Sequence, residues 1–268
     1  MSTDDRQRIE HFDLSGRKAL VIGADNPAGS AIARAYGEAG ADVALAVLRP
    51  DESVLAARKV QREIEAMGGH SSVYVMDVTL GKNVQVTTRQ IVKEMGGLDV
   101  LVSAADLFLG KPIRKTTDVE LLQVMTVNFF GQYYAVRSAS AEMMKNHDGQ
   151  GGGNIVLLTH VLGERGVQHS SAYSAAHGAL QNFVRAVAQE LAPHHISVNA
   201  IELGWMEWMH DRLDPDDEDA GRAVRFTIMK RAGTAEEVGP IAVWLAGTGA
   251  GYVTGQTFAV DGGLTQHL

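Results

Sequence analysis

Tyr173 and His177 stand four residues apart in Tyr173-Ser174-Ala175-Ala176-His177, a spacing that puts both side chains on one face of a helix. A phenol beside an imidazole is a proton-transfer pair, in which a protonated histidine would favour the phenolate. Thirteen residues before the tyrosine, His160 follows Thr159. An imidazole there can donate a hydrogen bond to a substrate oxygen or act as a base, with a hydroxyl alongside. His160, His177 and Asp106 also carry metal-ligating groups, but their spacing is no metal signature and no metal is expected. His169, His194 and His195 read as surface or local hydrogen-bond groups.

Those side chains need a scaffold, and the chain alternates short apolar runs with longer helical patterns. Strands are expected at Lys18 to Gly23, Asp42 to Leu48, Ser72 to Met76, Leu98 to Ser103, Ile155 to Leu158, Ile196 to Ala200 and Thr257 to Val260. Helical patterns run from Ser30 to Ala39, from Val54 to Met67, and through Lys93. Strands separated by helices imply right-handed crossovers and a parallel sheet covered on both faces, a Rossmann-like doubly wound α/β domain. One domain over residues 1–268 fits the length. The acidic stretch Asp211 to Asp219 and the helical pattern Ala223 to Met229 break the rhythm. Trp205, Met206, Trp208 and Met209 precede them and call for burial, so 205–229 reads as a substrate-covering segment.

Composition narrows the function classes. With 45% hydrophobic and 21% charged residues the chain is an ordinary globule. The absence of cysteine excludes disulfides and thiolate chemistry and fits a cytoplasmic protein. Met1-Ser2-Thr3-Asp4-Asp5-Arg6 is too polar for a secretion signal, and no run is long enough to span a membrane. A net charge of −8 argues against a nucleic-acid surface, leaving a small-molecule substrate as the expected partner.

Gly23-Ala24-Asp25-Asn26-Pro27-Ala28-Gly29 follows the first strand and opens a helix. Glycines there allow a tight turn and a close approach of backbone to a pyrophosphate, which the helix N-terminus then faces. Pro27 lacks an amide hydrogen but is acceptable in a first helical turn. The second strand ends Ala46-Val47-Leu48-Arg49-Pro50. An acidic residue there would grip ribose hydroxyls; Arg49 instead suits a 2′-phosphate, favouring NADP while leaving NAD open.

These residues resemble the short-chain dehydrogenase/reductase family over roughly Gly16 to Gly263. The family's glycine turn falls on Gly23 through Gly29, with Pro27 in place of the middle glycine. Its adenine-contacting aspartate falls on Asp77, beside Val78, and its Asn-Asn-Ala-Gly element on Ser103-Ala104-Ala105-Asp106. Its helix asparagine is Asn128, in Val127-Asn128-Phe129-Phe130-Gly131. Its catalytic serine, tyrosine and lysine fall on His160, Tyr173 and His177, its Pro-Gly element on Leu203-Gly204, and a carboxamide-contacting threonine on Trp208. The resemblance implies NADP-dependent oxidation or reduction at a carbonyl or alcohol, with Tyr173 as acid/base and Asn128 supporting the proton path. It implies cofactor contacts from Gly23, Asn26, Gly29, Arg49, Asp77, Val78, Ala104, Tyr173, His177 and Gly204. It also implies a homodimer or homotetramer, with Ala186 to Leu191 and Thr254 to Gly262 near the contacts. With two of three catalytic positions changed, two alternatives stay open: a non-catalytic nucleotide-binding scaffold, or a redox-neutral lyase or isomerase using the Tyr/His pocket.

Overall fold

Seven parallel strands form the centre of the molecule: β1 (Lys18–Ile22), β2 (Asp42–Val47), β3 (Ser71–Val75), β4 (Val100–Ser103), β5 (Gly153–His160), β6 (Ile196–Leu203) and β7 (Thr257–Val260). The computed structural model describes residues 10–212 and 222–266. The sheet order is β3-β2-β1-β4-β5-β6-β7. The chain therefore builds outward from β1 to β3, crosses back, and builds the other way from β4. Ligands of doubly wound sheets bind beyond the carboxyl ends of the strands where that order reverses, here between β1 and β4.

Alternate residues of each strand face opposite sides, so the sheet divides two cores. Ala19, Val21, Leu45, Val100 and Val102 pack under α1 (Pro27–Glu38), α2 (Glu52–Ala66) and a later helix, Gly239–Ala246. Leu20, Ile22, Ala44 and Leu101 face the other side, covered by α3 (Gly81–Met95) and two helices introduced below. Burial on both faces explains why the strands are nearly continuous apolar runs.

Among the described residues, five further helices lie between α3 and the Gly239–Ala246 helix. α4 (Asp118–Met125) opens on a capping box between Thr117 and Glu120 and runs through a π turn, Thr126–Phe130, into α5 (Gly131–Met143). α6 (Asn146–Gly149) is a single kinked turn. α7 (Ser171–Leu191) buries Tyr173, Ala176, His177, Leu180, Val184 and Leu191, a stripe at helical spacing. After α8 (Arg222–Phe226), α9 (Gly239–Ala246) closes the series.

The expected elements are all present, with shifted ends. Helix α1 begins at Pro27, whose fixed φ and missing N–H suit the first helical position, rather than at Ser30. Strand β5 extends two residues beyond each end of Ile155 to Leu158, which makes His160 its last residue. In the segment 205–229, a 3₁₀ turn covers Glu207–Arg212, and Met206 and Met209 are buried in the core that includes Ala24 and Ala28. Most of the acidic run Asp211 to Asp219, like the polar start Met1 to Arg6, lies outside the described residues.

Candidate active site

The turn after β1 is held by the side chains of Asn26 and of Ser30, whose Oγ donates to the Ala24 carbonyl at 2.8 Å. Asn26 caps α1 by accepting from Gly29 N (2.8 Å) and donates Nδ2 to the Ala104 carbonyl (2.6 Å), tying the turn to the end of β4. Gly23 sits at φ +78, and a Cβ on Gly29 would stand 2.1 Å from the Gly23 carbonyl oxygen. Both glycines are therefore required by close backbone approach. Oδ1 of Asp25 is buried in the same turn with no hydrogen-bond donor. A turn with glycine at both ends, a helix N-terminus and an acceptor suited to a sugar hydroxyl together fit a dinucleotide.

The adenine-side candidates lie at the ends of neighbouring strands. Arg49 is exposed just past β2. Asp77 follows β3, accepting from Thr79 N (2.9 Å) and Oγ1 (2.6 Å), while Val78 is buried against Gly131. Gly204 is more distant from this turn. Its hydrogen faces Asp261, whose Cα would lie 2.4 Å from an added Cβ, so its glycine identity is explained by packing on the strand β7 side.

Beyond β4 and β5 the remaining candidates converge on one cleft. It is lined by Asn26, Ala28, Asp106, His160, Tyr173 and His177 among others, together with Trp208 and Met209, and is narrow: its cavity volume is about 30 Å³. The Tyr173 hydroxyl donates to Asp106 Oδ1 at 2.8 Å. His177 Nε2 lies 3.5 Å from the same oxygen, and its Nδ1 lies 3.3 Å from Thr159 Oγ1. Helix geometry stacks the two rings as expected, with centroids 4.3 Å apart. His160 turns its ring toward Tyr173, centroids 5.5 Å apart, while its Nδ1 accepts from Leu162 N at 3.1 Å. That bond places the exchangeable N–H of a neutral ring on Nε2.

Asn128 is fully buried in the π turn, and its amide is used at both ends: Nδ2 donates to the Leu107 carbonyl (2.9 Å) and Oδ1 accepts from Leu107 N (2.8 Å). The pair of bonds fixes the segment immediately after Asp106. The amide thus acts on the site through Asp106.

Two groups carry more weight here than their sequence context suggests. Asp106 is the hub of the cleft's polar contacts. Glu202, near the end of β6, is 3% exposed and accepts from Gln181 on α7. Burial pushes its carboxyl up to about 7, and the charges of Glu164 and Asp261 push the same way. Its only sequence signal is a carboxylate inside the apolar run Val198-Asn199-Ala200-Ile201-Glu202-Leu203. The folded protein holds this proton where the unfolded chain has released it, so stability is lost as pH rises from about 4.5 through 7. Glu202→Gln removes that loss. Thermal melts at pH 8 are expected to show the variant more stable, by on the order of 1–3 kcal/mol, with the two proteins alike near pH 4. Parallel melting curves across the range would refute the assignment.

A parallel sheet with the order reversed at β1, a glycine turn there, and a tyrosine-centred cleft beside it are the architecture of a dehydrogenase-type, Rossmann-like α/β protein. Residues 23–265 match the family model described as Enoyl-(Acyl carrier protein) reductase. The chain is 33% identical to glucose 1-dehydrogenase of Gluconobacter oxydans (strain 621H) over 253 residues, covering 94% of this chain and 93% of that one. Its fold is similar to a crystal structure of a dehydrogenase/reductase from Sinorhizobium meliloti 1021 (TM-score 0.86, 30% identity, 95% and 97% of the two chains). It is also similar to a blue fluorescent protein from a metagenomic library in complex with NADPH (TM-score 0.85, 28% identity, 94% and 99%). The chain belongs to the short-chain dehydrogenase/reductase family of oxidoreductases. Among the described residues there is no helix long and apolar enough to cross a membrane and no cluster suited to a metal ion.

Proposed function

We propose that this protein exchanges hydride between NADP and a small or medium organic carbonyl or alcohol. The observation that carries the reading is the Tyr173 hydroxyl lining the cleft beside the β1/β4 reversal, held at 2.8 Å by Asp106 and flanked by His160 and His177. Gly23, Asn26 and Gly29 would hold the pyrophosphate side, Asp77 and Val78 the adenine side, and Ala104, Tyr173, His177 and Gly204 the remaining contacts. When bound, the dinucleotide supplies or accepts the hydride.

The chain's own residues manage the proton. In reduction, Tyr173 Oη gives its proton to the oxygen that gains charge; in oxidation it receives the alcohol's proton. His160 Nε2–H would orient the substrate oxygen, in place of the family's serine. His177 stands at the family's lysine position, and its distance to Asp106 supports a different arrangement, an imidazole paired with a carboxylate in place of a standing cation. Asn128 keeps Asp106 in place through Leu107.

Arg49 carries the cofactor preference. An exposed guanidinium past β2 matches a 2′-phosphate, and one charge-assisted contact of this kind is worth roughly tenfold in affinity. Calorimetric titration is expected to show NADPH binding more tightly than NADH, with Arg49→Ala weakening NADPH about tenfold and leaving NADH unchanged. Tighter NADH binding by the parent would reverse the preference, and the absence of heat with either would remove the dinucleotide reading.

A further inference from the structure

A second cleft opens at the other end of the sheet, beside the amino ends of β1, β4, β5 and β6. It is lined by Arg17, Asp99, His147, Asn154, His195 and Ser197 together with glycine backbone. Its cavity volume is about 260 Å³, against about 30 Å³ for the active-site cleft, so it has room for a small molecule. Parallel register assembles it. Arg17 and Asp99 stand one position before β1 and β4, and Asn154 and Ser197 pair at the start of β5 and β6.

Arg17 ties these ends together. Its Nη2 donates to the Asp99 carbonyl (3.3 Å) and to Asn154 Oδ1 (2.6 Å). Asn154 Nδ2 donates in turn to Ser197 Oγ (2.9 Å), which leaves the serine its own proton to give. Both acceptors of the guanidinium are neutral, and its Nε is buried without any acceptor. The Asp99 carboxylate is also held by a neutral group, accepting at Oδ2 from the Lys18 N–H (2.8 Å). Among the described residues neither Arg17 nor Asp99 has an ion-pair partner, and they are the two lining residues with a formal charge. Both are half-buried. Such charges, held only by neutral groups, are stabilised by counter-charges that a ligand brings.

We infer that this cleft binds a small zwitterion with the chemistry of a free amino acid, its carboxylate on Arg17 and its ammonium on Asp99. A plain anion would gain Arg17 but face Asp99, and a plain cation would meet the reverse. A zwitterion satisfies both, and the Ser197 hydroxyl adds a donor for its carboxylate. His147 and His195 are exposed, so the cleft is open on their side. The site lies across the sheet from Tyr173 and does not depend on the oxidoreductase reading.

Alanine, β-alanine and γ-aminobutyrate separate the two charges by one, two and three carbons, while butyrate and butylamine carry one charge each. Calorimetric titration is expected to show at least one of the three zwitterions binding at least about tenfold more tightly than either single-charge control, the worth of one charge-assisted contact. Asp99→Asn, whose amide oxygen can still accept from the Lys18 N–H, is expected to lower that zwitterion to the affinity of butyrate. Arg17→Gln is expected to lower it to that of butylamine. No heat from any zwitterion, affinities equal to those of the controls, or a preference that survives Asp99→Asn would overturn the inference. The parent comparison and Asp99→Asn decide it even if Arg17→Gln, which loses its ties to β4 and β5, does not fold.

Discussion

Tyr173→Phe is expected to lower the turnover number by about 10² to 10⁴, the range that proton-transfer groups supply, and to leave the fold in place. The substitution removes one oxygen from a ring that is 1% exposed and packed between His177, His160 and Phe108, so the ring contacts are kept. It removes the 2.8 Å hydrogen bond to Asp106 Oδ1. That loss costs stability on the order of 1 kcal/mol, and the half-open carboxylate can recover part of it from solvent. Catalysis and stability therefore separate: absorbance of the reduced nicotinamide reports a collapse in kcat, while a melting curve moves by a few degrees at most. Retained turnover would show that another group moves the proton, with His160 Nε2 first in line. Substrate conversion without an absorbance change in the parent would instead favour the redox-neutral lyase or isomerase reading.

The strands were legible in the sequence because they rest on apolar patterning, whereas the tyrosine was found through the family resemblance and the extent of its helix, Ser171–Leu191, was not read. Tyr173 and His177 share a helix face by spacing alone, and the apolar runs of β1, β2 and β4 declare a doubly covered sheet. Pro27 was readable as a first-turn residue, although the helix was expected to start three residues later. The partner of the tyrosine was less legible. Asp106 stands 67 positions from Tyr173, and their contact depends on how the segment after β4 leaves the sheet. That path is fixed by the buried Asn128 amide gripping Leu107, a tertiary contact between a loop and a π turn with no local signature. Glu202 illustrates the same limit. Its carboxylate in an apolar strand signals burial or function, but its partner on α7 follows only from strand register and helix placement.

That register also explains why the altered histidines need not be isolated changes. Thr159 lies opposite Glu202 in the β5/β6 pairing, one residue before the paired His160 and Leu203. Thr159 meets His177 on α7, and His160, the last residue of the strand, meets the tyrosine ring on the same helix. A histidine at 177 thus has a hydroxyl on one nitrogen and a carboxylate near the other. A lysine in the same place would have brought a standing positive charge to Asp106.

The second large effect concerns the turn proposed to hold the cofactor. Gly29→Val is expected to abolish measurable NADPH binding and to cost about 1–3 kcal/mol of stability, because branched carbon atoms would be forced into the β1 turn. The reason is space rather than backbone angle. The Cβ would stand 2.1 Å from the Gly23 carbonyl oxygen and 2.8 Å from its carbon, and these are backbone atoms that cannot rotate aside. Relief requires α1 to move away from β1, which breaks the Asn26 bridge to Gly29 and Ala104 and opens the strand end where the dinucleotide would lie. Gly16→Ala provides the contrast. Its φ of +78 imposes the ordinary penalty of a left-handed residue, about 1 kcal/mol, but no atom lies within 4 Å of the added carbon. Gly16→Ala should melt a few degrees lower and titrate NADPH like the parent, whereas Gly29→Val should give no heat of association. Equal NADPH affinity in both variants would mean that the dinucleotide, if bound, lies elsewhere than on the β1 turn.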